Sequence, residues 1–168
     1  MIRYIKQLSA LMLLLFVAQG CGIYNFTGGN PGLAKTFQVD FFQNNAPIIE
    51  PGLDRQFTLA LQDVIQSQTN LDLVTASADL VYAGEIVDYR ITPNSATSNQ
   101  TAALNRLTIA VNVRFTNNVE DDKDFERRFS FFFDFPATTQ VDAIEQTAFE
   151  EIFDRLTQDI FNASLADW

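Results

Sequence analysis

The chain has 168 residues and a mass of 18.9 kDa, the size of one domain. It carries 11 Lys and Arg against 21 Asp and Glu, a net charge of −10, with one cysteine and no histidine; these counts exclude a histidine-based triad, a Cys/His zinc site and an intrachain disulfide. A pI near 4.2 weighs against nucleic-acid binding, which needs Lys and Arg at phosphates, while 47% hydrophobic residues and 16 Phe set the chain apart from a disordered acidic tail.

Arg3 and Lys6 are the only charges ahead of Lys35, and they precede an apolar run, LSALMLLLFV, at 8–17. As a helix this run rises about 15 Å, half of a bilayer's hydrocarbon thickness. It suits a secretory leader rather than a spanning anchor. The run closes on Ala18-Gln19-Gly20-Cys21. A lone cysteine in a soluble domain is usually a buried thiol, but one directly behind a leader resembles a bacterial lipobox. There the cysteine takes a diacylglycerol and becomes the mature N-terminus; Ala18 stands where the usual pattern has Leu. The resemblance implies lipidation at Cys21 and a membrane anchor of acyl chains, each buried CH₂ contributing about 0.8 kcal/mol. Removing residues 1–20 takes away two of the 11 basic residues and none of the 21 acids, leaving a net of −12. No acid follows Cys21 closely, which in a lipoprotein favours the periplasm-facing leaflet of an outer membrane.

Residues 22–32, GIYNFTGGNPG, read as a tether, broken by glycines and Pro31. The expected organisation is thus a signal peptide at 1–20, lipidated Cys21 with its tether at 21–32, and one domain at 33–168. Phe37, Val39 and Phe41 alternate with polar residues and predict a strand over 35–43. After a turn-rich link, Leu53, Phe57, Ala60, Leu61, Val64 and Ile65 form one stripe and predict a helix over 53–68, with Pro51 in its first turn. A strand region follows at 71–92, broken near 76–79; apolar residues fall on both parities of LVYAGEIVDYRIT, so its faces stay unassigned. Gly84 there marks a bulge or a close backbone approach.

After a polar loop at 93–103, Leu107, Ile109, Val111, Val113 and Phe115 alternate with Thr108, Ala110, Asn112, Arg114 and Thr116. This is a strand with one buried and one wet face. An acidic turn at 117–124 leads to a strand at 125–135. Phe125, Phe129, Phe131, Phe133 and Phe135 share one parity, interrupted by Arg127. At about 2 kcal/mol or more apiece these rings would seat two helices. The last helix, over 141–163, carries Val141, Ile144, Ala148, Ile152, Leu156 and Ile160, widened by Phe149 and Phe153, with Thr139 and Asp142 as candidate caps. The order β-α-β-β-β-α defines an α+β two-layer sandwich, a mixed sheet of about four strands with two helices on one face.

Little in this pattern points to chemistry. The run VEDDKD at 119–124 does not match a calcium loop and reads as a solvated hairpin turn. Glu145, Glu150, Glu151 and Asp154 fit a polar helix face better than an acid/base pair. The glycines at 28–32 lack the Lys and Ser/Thr of a phosphate loop, and three N-glycosylation triplets are discounted because such triplets are frequent by chance and the lipobox resemblance implies a bacterium. Neither a cofactor nor a metal is implied, and the chain does not read as an enzyme. Arg114 and Arg128 fall on the parity facing away from the helices, with Arg90 able to join them. They form either a small cationic patch for a lipid headgroup or partner, or cross-strand pairs with Glu126, Asp134 or Asp88.

The stretches CGIYNFTGG at 21–29, LNRLTIAVNVRFTNN at 104–118, DFERRFSFFFDFP at 124–136 and IFNASLADW at 160–168, in that order, make the mature chain resemble the LptE family of lipopolysaccharide-assembly lipoproteins, in its Bacteroidetes form. The resemblance implies an outer-membrane lipoprotein that plugs the LptD β-barrel and helps deliver lipopolysaccharide to the outer leaflet. Direct contact with lipopolysaccharide is implied for the family through basic residues; no motif assigns those residues here. A plug needs a wet exterior and its own core, since a large barrel's lumen is polar. An auxiliary lipoprotein of an envelope lipid transporter is the alternative, and it requires an apolar groove between the helices and the Phe-rich sheet.

Overall fold

The computed structural model describes residues 29–94 and 103–166. The leader, Cys21 and most of the tether lie outside the described residues, as does most of the polar loop. Six strands form one mixed sheet: β1 (Thr36–Val39), β2 (Gln43–Asn44), β3 (Asp72–Leu73), β4 (Leu80–Asn94), β5 (Leu104–Asn117) and β6 (Phe125–Pro136). The sheet runs β3-β1-β4-β5-β6, with β2 continuing β1 along β4. β1 lies parallel to β3 and β4, whereas β4, β5 and β6 are antiparallel. Helices α1 (Leu53–Gln68) and α2 (Glu145–Leu165) cover one face, so the protein is an α+β sandwich with two helices on one side of a mixed sheet.

The expected strand at 35–43 is two strands out of phase. Val39 pairs with Tyr82 and Gln43 with Glu85, so four steps on one side meet three on the other. The extra residue flips the side chains: Phe42 enters the core and Phe41 is 55% exposed, contrary to the simple alternation. A second extra residue explains why β4 has apolar residues on both parities. Ile86 pairs with Val111 and Asp88 with Ala110, leaving Val87 over. Leu80, Tyr82 and Ile86 face the core before this bulge, and Tyr89 after it. Gly84 marks a close approach: a Cβ there would stand 2.1 Å from the carbonyl oxygen of Asn112 and 2.5 Å from the Phe42 ring.

α1 buries Leu53, Phe57, Leu61 and Ile65 as its stripe predicts. Pro51 stands just outside it, because Gly52, with φ of 82°, makes the entry turn. The buried Thr58 hydroxyl donates to Asp54 O at 2.8 Å and accepts the Phe42 N–H at 3.1 Å, tying the helix to the β1–β2 link. α2 begins at Glu145 after a single 3-10 turn at Val141–Ala143, and neither Thr139 nor Asp142 caps it through its side chain. Its buried face is Ala148, Phe149, Ile152, Phe153, Leu156, Ile160 and Phe161. Edge-to-face contacts of Phe57 with Phe42 and Phe153, at 5.2 and 5.6 Å, join helices and sheet. Tyr82 is fully buried, its hydroxyl 2.9 Å from that of Ser164, and burial pushes its phenol well up.

The Phe row of β6 contributes less than its composition promises. Phe129 and Phe135 are buried, but Phe125, Phe131 and Phe133 are only partly so. β6 closes the sheet, and α2 covers just part of an outermost strand.

Candidate functional site

Among the described residues, the face of β4, β5 and β6 turned away from the helices is where the sheet sets charged side chains in rows. Antiparallel register puts same-face residues side by side. Thr92, Arg106 and Asp134 form one row, Arg90, Thr108 and Phe132 the next, then Asp88, Ala110 and Ser130, then Glu85, Asn112 and Arg128, and finally Ala83, Arg114 and Glu126. The bulge at Val87 brings Asp88 onto this face; an unbroken alternation would have turned it inward.

Arg90 and Arg128 converge on Asp88. Its carboxylate, only 10% exposed, accepts a bond from each, the second at 3.3 Å. Arg114 is exposed and stands opposite Glu126 in register, without an ion pair among the described residues. Thus the structure brings together two of the three predicted arginines, through an acid, and leaves the third apart.

The strongest cluster on this face pairs Asp134, expected as a partner of the other arginines, with Arg106, which the sequence did not single out. Arg106 grips Asp134 through Nε and Nη2, both at 2.7 Å, and its guanidinium carbon sits 3.5 Å from the centre of the Phe132 ring. Asn94 adds a bond to the same carboxylate at 3.3 Å. A two-pronged bond combined with ring stacking is a geometry that arginine makes and lysine does not. The bonds hold the Asp134 carboxyl below its ordinary range. Its signal was parity: Arg106 lies eight residues before Arg114 on one strand, hence on one face.

The other candidates are structural. The turn at 117–124 is closed internally: Asn117 Oδ1 accepts the N–H groups of Val119 and Glu120 at 2.9 Å, and Asp124 accepts that of Asn117 at 2.7 Å. Among the described residues no group of His, Cys, Asp and Glu could hold a metal ion. Glu145 sits near Glu50 and Asp142 at the start of α2; burial first, then those charges, raise its carboxyl. Tyr89 beneath them is pushed up to about 12, by burial and then by Glu50. A shallow groove of about 540 Å³ runs along the outside of the helix pair, lined by Leu59, Val64, Phe149 and Phe153 with Asp63 and Asp154 at its rim. Among the described residues no helix is long and apolar enough to cross a membrane.

These features define a small α+β sandwich with a packed core and a polar, arginine-bearing sheet face. The lipopolysaccharide-assembly family model LptE matches residues 34–164. The chain belongs to the LptE family, a non-enzymatic, envelope-associated family of lipopolysaccharide-assembly lipoproteins. Solved structures agree at the level of fold. Uncharacterized lipoprotein B of Nitrosomonas europaea is similar with a TM-score of 0.52 and 13% identity, over 84% of this chain and 88% of that one. A hypothetical protein of Chlamydia trachomatis is similar with a TM-score of 0.52 and 9% identity, over 78% and 98%. No curated protein matches the chain significantly.

Proposed function

We propose that this protein is an outer-membrane lipoprotein, held by acyl chains on Cys21 and facing the periplasm, that assembles with an LptD-type β-barrel and plugs it for delivery of lipopolysaccharide to the outer leaflet. The observation that carries the proposal is family membership across residues 34–164. The geometry supports it. The two helices and the sheet enclose a packed core of their own, with the β6 margin at Phe131 and Phe133 left half-covered. The opposite face offers the lumen of a barrel a polar surface, on which Asp88 and Asp134 are paired with arginines. Arg90, Arg114 and Arg128 on that face are the residues proposed to meet the barrel wall or an anionic headgroup.

The auxiliary lipid-transport reading needs a cavity between helices and sheet. That space is filled by Phe42, Phe57, Phe153 and their neighbours. The test is affinity recovery of the protein from detergent-solubilised membranes of its own cells. The proposal expects a large β-barrel protein in equal amount. Recovery of the protein without any barrel overturns it.

A further inference from the structure

The two margins of the sheet are unlike. On one side β3 is two residues long, a short edge of the kind that blocks further pairing. On the other side β6 runs 12 residues, Phe125–Pro136, and pairs only with β5 among the described residues. This long margin has no proline before its last residue and its register with β5 is unbroken, so its guards are charges, Glu126, Arg128 and Asp134 on the outer face and Arg127 on the helix side, and it admits only a strand that answers them. Phe131 and Phe133 lie half-covered along it on the helix side, and Phe132 is 39% exposed on the other. An uncovered strand of this length and composition is a template for another strand.

Arg127 selects which strand. It points to the helix side, its guanidinium 5.6 and 5.9 Å from the Phe125 and Phe129 rings, and it makes no ion pair among the described residues. If a second copy paired here with faces in phase, Arg127 would meet that copy's own row of Phe125, Phe129, Phe131, Phe133 and Phe135. That row contains no acid. Asp159 of α2 lines a shallow pocket with Arg127 but already pairs with Arg155 at 3.4 Å, so self-pairing would bury Arg127 without bringing it an acid from the added strand.

We propose that β6 is extended by an extended segment of the barrel partner, with apolar residues against Phe131 and Phe133 and an acid opposite Arg127. The inference rests on the function proposed above. A closed barrel has its own strands paired on both sides, so the added strand comes from a loop or a terminal segment of that protein. Backbone hydrogen bonds supply the affinity, and Arg127 the choice of partner.

The experiment uses the full protein in its native cells, with a photo-cross-linking phenylalanine analogue placed at Phe131 or Phe133, and for comparison at Thr116 on the outer face or Leu59 on the helix groove. Cross-links from β6 to the barrel are expected. In the purified complex, about every second β6 amide should exchange about tenfold or more slowly than in the protein alone. Arg127→Glu should lower recovery of the barrel about tenfold, and Arg127→Lys should not. Unchanged circular dichroism of both variants separates lost docking from lost folding. Recovery of the barrel with cross-links only at Thr116 or Leu59 and unchanged β6 exchange overturns this inference and leaves the proposed function standing. Cross-links from β6 to a second copy also overturn it. Absence of any barrel overturns the proposed function and this inference together.

Discussion

Replacing Gly84 with alanine puts a carbon 2.1 Å from the Asn112 carbonyl oxygen and 2.5 Å from Cε1 of Phe42. The first neighbour is backbone of β5, the middle strand of the antiparallel trio, and it has nowhere to move. Restoring an ordinary contact of about 3.3 Å means parting β4 from β5 by about 1 Å around Gly84 and Val113. Overpacking of this kind costs about 1–3 kcal/mol, and each ladder bond stretched adds about 1 kcal/mol. The sum is about 4 kcal/mol, a fall in Tm of about 10 °C for a domain of this size. Thermal and urea unfolding of Gly84→Ala, followed by circular dichroism, measures it. Leucine at Phe42 removes the ring contact and leaves the backbone one, so the Gly84→Ala cost should survive largely intact in a Phe42→Leu background. A Tm within about 2 °C of the parent would refute the reasoning.

Further outcomes follow from the electrostatics. The Asp79 carboxyl accepts the backbone N–H groups of Lys35 and Thr36 at 2.8 and 3.1 Å, and with Asp134, bound to Arg106, it lies below the ordinary 3.8. A carboxyl lowered by folding contributes stability that is present above its unfolded value and lost as pH falls through the folded one. Acid unfolding monitored below pH 4 should therefore be shallower in Asp79→Asn and Asp134→Asn. Glu145 has the opposite sign: its raised carboxyl contributes fully below the ordinary 4.5 and loses that contribution as pH rises through the folded value. Glu145→Gln should thus raise Tm at pH 7, with the gain disappearing in acid; a lower Tm at pH 7 would contradict this. Arg106→Lys keeps the charge but loses the two-pronged bond and the stacking on Phe132, and should lower stability by about 1 kcal/mol in urea unfolding.

Where a segment keeps one period, the sequence states its structure. The alternation from Leu107 to Phe115 sets the faces of β5, and the stripe from Leu53 to Ile65 sets α1 to the residue. What the sequence hides is where the period slips. One extra residue between Val39 and Gln43 turns Phe41 out and Phe42 in. One more at Val87 swaps the faces of β4. No residue type announces either slip, because both are properties of the pairing with a neighbour. The arginines follow the same rule. Arg128 and Arg114 lie on an uninterrupted parity and were legible, whereas the meeting of Arg90 and Arg128 at Asp88 exists only through the bulge. The margin of β6 was invisible because strand order, unlike strand position, is not written in local periodicity. The lipid anchor expected at Cys21 rests on the sequence alone.

The central claim is that lipopolysaccharide reaches the cell surface through a barrel that needs this protein inside it. Depleting the protein from its cells while following newly made lipopolysaccharide tests that claim most directly. The account predicts that arrival at the outer leaflet stops and that the barrel partner fails to mature, both restored by the parent chain and not by Cys21→Ser. Undiminished arrival at the surface after complete depletion would contradict it.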